Sequence, residues 1–296
     1  MRKAQTMRYT ISPILSTLLL ASAALADVPK VVTDFGPIDS LTRQVMGDLG
    51  KPFMLLPKGG DPHDFQMKPS QAQALSDADL IFWDGPELMP ALNDAITTLG
   101  TNAKSVPLLQ TGGGKVRLYD GEEGTDPHAW LDPTNADAWI GTIAAELSAK
   151  DPANAATYAA NADIAQIALR ALDAEITAGL APVKDKPFVV FHDALGYFAD
   201  HYGLMAVGAI ELGDASEPGA EQLTSVKALL TDTKAVCVFP ELGRDPKYIE
   251  TVAEGSTALI GEGQDIEAIM LDPGPDQYAT LMRGVAKTLT DCLSKS

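Results

Sequence analysis

From Ala153 to Ala178 the chain runs 26 residues without a glycine or a proline, and no other feature constrains the fold as strongly. Its apolar positions Ile164, Ala168, Ala171, Leu172 and Ile176 keep helical spacing, so one amphipathic helix is expected. At 1.5 Å per residue it would be about 39 Å long, enough to cross from one folded unit to another. Gly179 and Pro182 mark its end.

Apolar strand-like runs alternate with helical patterns on either side of this rod. Before it come "KVVTDF", a helix from Ile38 to Leu49, "PFMLLPKGG", a short helix "KPSQAQALSDA", "DLIFWDG", the helix "ELMPALNDAITTL" and a helix from about Thr134 to Ala149. Pro90 sits awkwardly inside the helical pattern "ELMPALNDAITTL". After the rod come "PFVVFHD", "ALGYFADHYG", "LMAVGAIEL", "GAEQLTSVKALLTDT", "AVCVFPE", "DPKYIETVAEG", "TALIGEG" and a terminal helix, Pro275 to Leu293. Strand–helix alternation argues for an α/β fold with mainly parallel sheets. The expected architecture is therefore two α/β lobes, residues 27–152 and 182–296, joined by a rigid helix spanning 153–181. "TGGGKVRLYDGEEGTD" interrupts the alternation with glycines and carboxylates and reads as a flexible loop. A sequence repeat between the lobes is too weak to assert.

The first 26 residues carry Arg2, Lys3 and Arg8, a short apolar run and Ala24-Leu25-Ala26, the pattern of a cleaved secretory signal. Export to the periplasm is expected, with cleavage before Asp27. Loss of this segment removes three positive charges and no negative ones, taking the formal charge from -18 to -21. So acidic a chain is no nucleic-acid partner. Cys237 and Cys292, the two cysteines, fit one disulfide in an oxidising compartment; thiolate metal ligation is the rival, though no CxxC spacing is present.

Four histidines are present, and two occupy the same tripeptide: His63 in "GGDPHDF" and His128 in "GTDPHAW". A third, His192, ends the apolar run "FVVFH", while "EAIMLDPGP" places Asp272 after another apolar run. Ligands in open α/β sheets gather beyond the carboxyl ends of strands. Two lobes whose strand ends face each other would bring these residues into one inter-lobe cleft. Three imidazoles and a carboxylate form a nitrogen-rich donor set suited to zinc. The intervals of 65, 64 and 80 residues form no local chelating motif, so the spacing alone is weak support. Asp61, Asp126 and Asp193 stand beside the histidines as candidates to orient the rings, with capping as their competing role. His201, in the polar stretch "ADHYGL", reads as solvated.

The segments "GGDPHDFQMKPSQAQALSDADLIFWDGPELMPAL", "DPHAWLDPTNA", "FVVFHDALGYFADHYGL" and "LDPGPDQYATLMRGVAKTL" together resemble the ZnuA-like periplasmic zinc-binding receptors of bacterial ABC importers, in order and across nearly the whole exported chain. The resemblance implies two α/β lobes linked by a long helix, with one Zn2+ per chain between them. It carries the three ligand positions onto His63, His128 and His192, and the acidic fourth position onto Asp272, since Pro62 stands where an alternative carboxylate could lie beside the first histidine. It also implies a Cys237–Cys292 pair, a monomer, an inner-membrane ABC permease as partner and a periplasmic zinc metallochaperone as a further one. Manganese-selective relatives place Glu where this chain has His192. A long histidine-rich loop, common in zinc receptors, has no counterpart in residues 111–126, where Asp120, Glu122, Glu123 and Asp126 could attract a cation only weakly.

The expected function is capture of zinc and its delivery to the permease, without catalysis. A manganese or mixed-metal receptor is the nearest alternative. A zinc hydrolase or hydratase is the alternative of another class, since three histidines with an open position also describe catalytic zinc. It lacks an HExxH helix or a nucleophile elbow in this sequence.

Overall fold

The computed structural model describes Met1 and residues 28–119, 124–212 and 218–295. The signal segment, the cleavage site and the acidic residues Asp120, Glu122 and Glu123 lie outside the described residues.

The first half begins with β1 (Val31–Thr33), α1 (Gly36–Met46), β2 (Phe53–Met54), α2 (Pro69–Asp77), β3 (Leu80–Trp83), α3 (Pro90–Leu99) and β4 (Lys104–Pro107). Then follow α4 (Leu108–Thr111), the antiparallel pair β5 (Arg117–Leu118) and β6 (Thr125–Asp126), and α5 (Pro133–Lys150). Pro69, Pro90 and Pro133 are each the first residue of a helix, where the missing N–H costs nothing and the fixed φ is already helical. Pro90 therefore starts its helix instead of interrupting one, and the preceding Glu87–Met89 lie outside it. The segment expected to be a flexible loop contains the β5–β6 hairpin, and it follows directly on α4.

The rod is α6 (Ala155–Leu180), 26 residues long. Beyond it are β7 (Phe188–His192), α7 (Gly196–Tyr202), β8 (Ala206–Glu211), α8 (Ala220–Asp232), β9 (Cys237–Phe239), α9 (Lys247–Ala253), β10 (Leu259–Ile260) and α10 (Gln277–Leu293). The buried stripe of α6 is Tyr158, Ala162, Ala165, Leu169, Leu172, Ile176 and Leu180, packed against α1, α5 and α10. Ile164, expected in that stripe, is 67% exposed. Both stripes have helical period; the one carrying Tyr158, Leu169 and Leu180 buries more apolar area and takes the core.

Each half holds a four-stranded, all-parallel sheet, ordered β2-β1-β3-β4 and β8-β7-β9-β10. Numbered within its own half, each reads 2-1-3-4, so the two halves share a topology that their sequences do not display. A disulfide joins Cys237, the first residue of β9, to Cys292 near the end of α10. It fastens the last helix onto the second sheet.

The period of two in β7 decides where its last residue points. Phe188 and Val190 join a large core that also contains Val31, Phe35, Trp130, Leu172 and Tyr278, and so spans both halves. Val189 and Phe191 face a smaller core with Ile210, Val226 and Val252. His192 falls on the Phe188–Val190 side, toward the first half. At the other sheet, Asp34 is wholly buried just after β1, where its two oxygens accept N–H groups of Phe35 and Asp84 and tie the ends of β1 and β3. Burial pushes this carboxyl up to about 7, against the pull of those two donors.

Candidate metal centre

His63 lies in a single 3₁₀ turn, Pro62–Asp64, after β2. Asp61 starts the turn, its Oδ1 accepting the His63 N–H at 2.8 Å. His128 follows β6, and Asp126 holds it twice: Oδ1 accepts the backbone N–H at 3.0 Å and Nδ1–H at 2.8 Å. A carboxylate there can only accept, so the proton sits on Nδ1 and Nε2 is the acceptor nitrogen. Arg117 of β5 donates to the other oxygen of Asp126 at 3.2 Å. His192 ends β7, paired in register with Glu211, and its Nδ1 is 3.4 Å from Oε2 of Glu241.

The three imidazoles converge. Ring centroids are 5.9 Å apart for His63 and His128, 5.4 Å for His63 and His192, and 4.8 Å for His128 and His192. The fourth donor is Glu267, whose Oε1 is 2.7 Å from His63 Nε2. One donor atom from each of the four residues lies within 4.8 Å of all the others. A tetrahedral zinc with ligands at about 2.1 Å needs donors about 3.4 Å apart, so the 2.7 Å His63–Glu267 pair would open and the wider pairs, none above 4.8 Å, would close around it. Burial pushes the Glu267 carboxyl up, opposed by its hydrogen bond to His63 and reinforced by the nearby Glu241. A cation among these groups would relieve that cost.

Asp272 does not join them. Its side chain is 89% exposed and its Oδ1 pairs with Lys58 Nζ at 2.8 Å. The apolar run before it is a turn, not a strand: Ala268 takes a left-handed φ of 60°, and the Asp265 carboxylate caps the N–H groups of Ile269 and Met270. The chain thus enters the core at Ile266 and Glu267 and leaves it before Asp272. Trp130 fixes the inward end, its indole N–H donating to the Ile266 carbonyl at 2.9 Å while its ring packs edge-on against Phe35. In the sequence Glu267 is one of four acids, with Glu262, Asp265 and Asp272, and nothing local singles it out.

Of the three flanking aspartates, Asp126 orients an imidazole and Asp61 caps the backbone of His63. Asp193 donates its N–H to the Glu211 carbonyl at 3.1 Å, and the carboxylate beside the His192 ring belongs to Glu241. Arg244 lies between the halves, 3.6 Å from Glu241 and 3.9 Å from Asp61. His201 is not solvated: its side chain is 15% exposed, between Asp132 and Asp173.

Residues 31–292 match the model of the family described as zinc-uptake complex component A, periplasmic. The chain belongs to this family. Two proteins named high-affinity zinc uptake system protein ZnuA are similar to it along nearly their whole length. The one from Paracoccus denitrificans is 44% identical, covering 94% of this chain and 98% of its own. The one from Brucella suis is 35% identical, covering 95% and 99%. A crystal structure of ZnuA superposes with a TM-score of 0.78 at 28% identity, over 90% of this chain and 99% of that one. The two-sheet fold and its long helix are those of this family.

Proposed function

We propose that the chain is an extracytoplasmic receptor that binds one Zn2+ through His63, His128, His192 and Glu267 and delivers it to an ABC permease. The observation that carries the reading is the convergence of three imidazoles and a buried carboxylate from four distant segments. On this reading the lobe of residues 27–152 supplies His63 and His128, and the lobe of residues 182–296 supplies His192 and Glu267. On this reading the signal at residues 1–26 exports the receptor to the periplasm, which the family description supports.

Three nitrogen donors and one oxygen suit zinc better than manganese, which prefers oxygen. Catalysis would need an open position for water, which a fourth protein ligand closes. Membership in a solute-receptor family agrees with that chemistry. The test is a competitive titration of the metal-stripped exported chain with zinc and manganese, repeated for His63→Ala, His128→Ala, His192→Ala and Glu267→Gln. One tight zinc equivalent, weakened by each substitution and poorly matched by manganese, is expected. A zinc site indifferent to these residues, or a preference for manganese, refutes the assignment.

A further inference from the structure

The fourth histidine lies where the two histidine-bearing segments are tied together. His201 is on α7, which follows β7 and its terminal His192 after a short turn. Its Nδ1 is 3.2 Å from Oδ1 of Asp132, and its Nε2 is 2.8 Å from Oδ1 of Asp173. Asp132 is the N-cap of α5 and is separated from His128 only by the 3₁₀ turn Ala129–Leu131, whose ladder runs Leu131 N–H to His128 carbonyl and Asp132 N–H to Ala129 carbonyl. Asp173 is on the rod, α6. One imidazole thus spans the segment carrying His192, the segment carrying His128 and the helix between the halves.

We infer that His201 is a positioning residue for the metal centre, holding α7 to the start of α5 and to α6 and so fixing His192 relative to His128. The inference rests on the zinc-receptor reading above. A second bridge runs parallel to it: Arg117 donates to Asp200 of α7 at 3.1 Å and to Asp126, and the Tyr197 hydroxyl of α7 accepts the Arg117 N–H and donates to the Asp126 carbonyl. Both bridges end on α7, and both reach back to the His128 segment. The pair does not describe another metal site, because its two carboxylates meet different nitrogens on opposite edges of the ring.

Both ring nitrogens can donate only when the imidazole is charged. The groups facing it are Asp132 at the N-cap of α5, Asp173 on α6, the Tyr202 ring at 4.6 Å on its own helix, and Tyr278 of α10, which lies close enough to sense both aspartates. Lys115, 3.6 Å from the other oxygen of Asp132, and Arg117 with Asp200 complete the setting. The hydrogen bond to Asp132 raises His201 above its ordinary value, burial opposes, and Asp173 adds to the rise. The clamp is therefore complete at acidic and neutral pH and is lost as pH climbs through the raised value. The ligand imidazoles give the opposite limb, since they must be neutral to bind.

The experiment measures zinc affinity by chelator competition from pH 6 to pH 9.5 for the exported chain, His201→Gln, His201→Ala and Asp173→Asn, with zinc-free melting curves over the same range. Expected in the unaltered chain are a rise in affinity at the acid end and a decline at the alkaline end. His201→Gln should lose about tenfold in affinity at pH 7, by analogy with other partners standing behind metal ligands, and should lack the alkaline decline. Asp173→Asn should keep the decline but move it to lower pH. Unchanged affinity and an unchanged alkaline limb in both His201 variants overturn the inference while leaving the receptor reading intact. An unaltered chain that binds no zinc at pH 7 overturns both.

Discussion

Glu267→Gln separates the two carboxylates that compete for the fourth position. The substitution keeps the shape of the side chain and removes its charge at a site where the side chain is 1% exposed and its oxygen lies 2.7 Å from His63. Zinc held by four protein ligands binds with an apparent 10–16 kcal/mol, so one ligand in four accounts for roughly 3 kcal/mol. An amide oxygen remains as a weak donor, which leaves a loss of about 2–3 kcal/mol, or about 30- to 150-fold in Kd. Asp272→Asn removes a charge that water already screens and that Lys58 already pairs, so its effect on Kd should stay within about threefold.

The assay is competition against a chelator of known zinc affinity, run beside thermal melting with and without zinc. Melting guards against misfolding: zinc-free Glu267→Gln should melt no lower than the unaltered chain, because a buried carboxylate costs free energy that the amide avoids. Its gain on adding zinc should be smaller, since that gain follows RT ln(1 + [L]/Kd). A larger loss of affinity in Asp272→Asn than in Glu267→Gln would refute the geometry.

Asp126→Asn is expected to weaken zinc binding by about 10- to 100-fold, read in the same competition assay, because a neutral amide that can also donate replaces the carboxylate that holds the His128 proton on Nδ1. Reducing the Cys237–Cys292 bridge, or replacing both cysteines by alanine, should cost about 4 kcal/mol in denaturant unfolding by the chain-entropy relation for a loop of this length, with zinc stoichiometry unchanged. Trp130→Phe should lower stability by about 1–3 kcal/mol by leaving the Ile266 carbonyl without its indole donor, and should weaken zinc binding because Glu267 is the next residue. The stability held by the His201 clamp should decline from neutral to alkaline pH, and melting of His201→Gln should lack that decline.

Long periodic elements were legible because one force sets them. The strands β1, β3 and β7 are buried and α6 buries one long stripe, so apolar periodicity reports them directly. β4, with the sequence KSVP, was not legible: it is an edge strand with Val106 as its one buried residue, and a half-buried edge leaves little pattern. His63, His128 and His192 were legible through the strand ends and repeated tripeptides that carry them. The structure gathers Glu267, not Asp272, with the three imidazoles, whereas "EAIMLD" taken as a strand would deliver its last residue. The left-handed turn at Ala268 makes it deliver its first. The His201 clamp was not legible, since each of its contacts is set by how α5, α6 and α7 pack.

The same packing bears on how the metal could leave. The large core runs without interruption from Val31 and Phe35 through Trp130 and Leu172 to Tyr278 and Leu289, so a rigid-body parting of the halves would expose apolar surface from both at once. It would also break the Tyr278 hydroxyl's bond to the Trp130 carbonyl and the Ser40 contacts to Pro275 and Tyr278, all of which cross between the halves. The His63 turn and the 268–272 turn, by contrast, are tied to each other. Gly59 N–H donates to the Ile269 carbonyl and Lys58 pairs with Asp272; Asp61 caps the first turn, while Asp265 caps the second and Gln277 donates to its Ala268 and Leu271 carbonyls. Because the Gly59–Ile269 hydrogen bond and the Lys58–Asp272 ion pair join these two turns, a shift of one would carry the other, and with them His63 and Glu267, relative to His128 and His192. A shift confined to these two turns would leave the Tyr278–Trp130 and Ser40 bonds between the halves, and the His201 contacts of α7, unbroken.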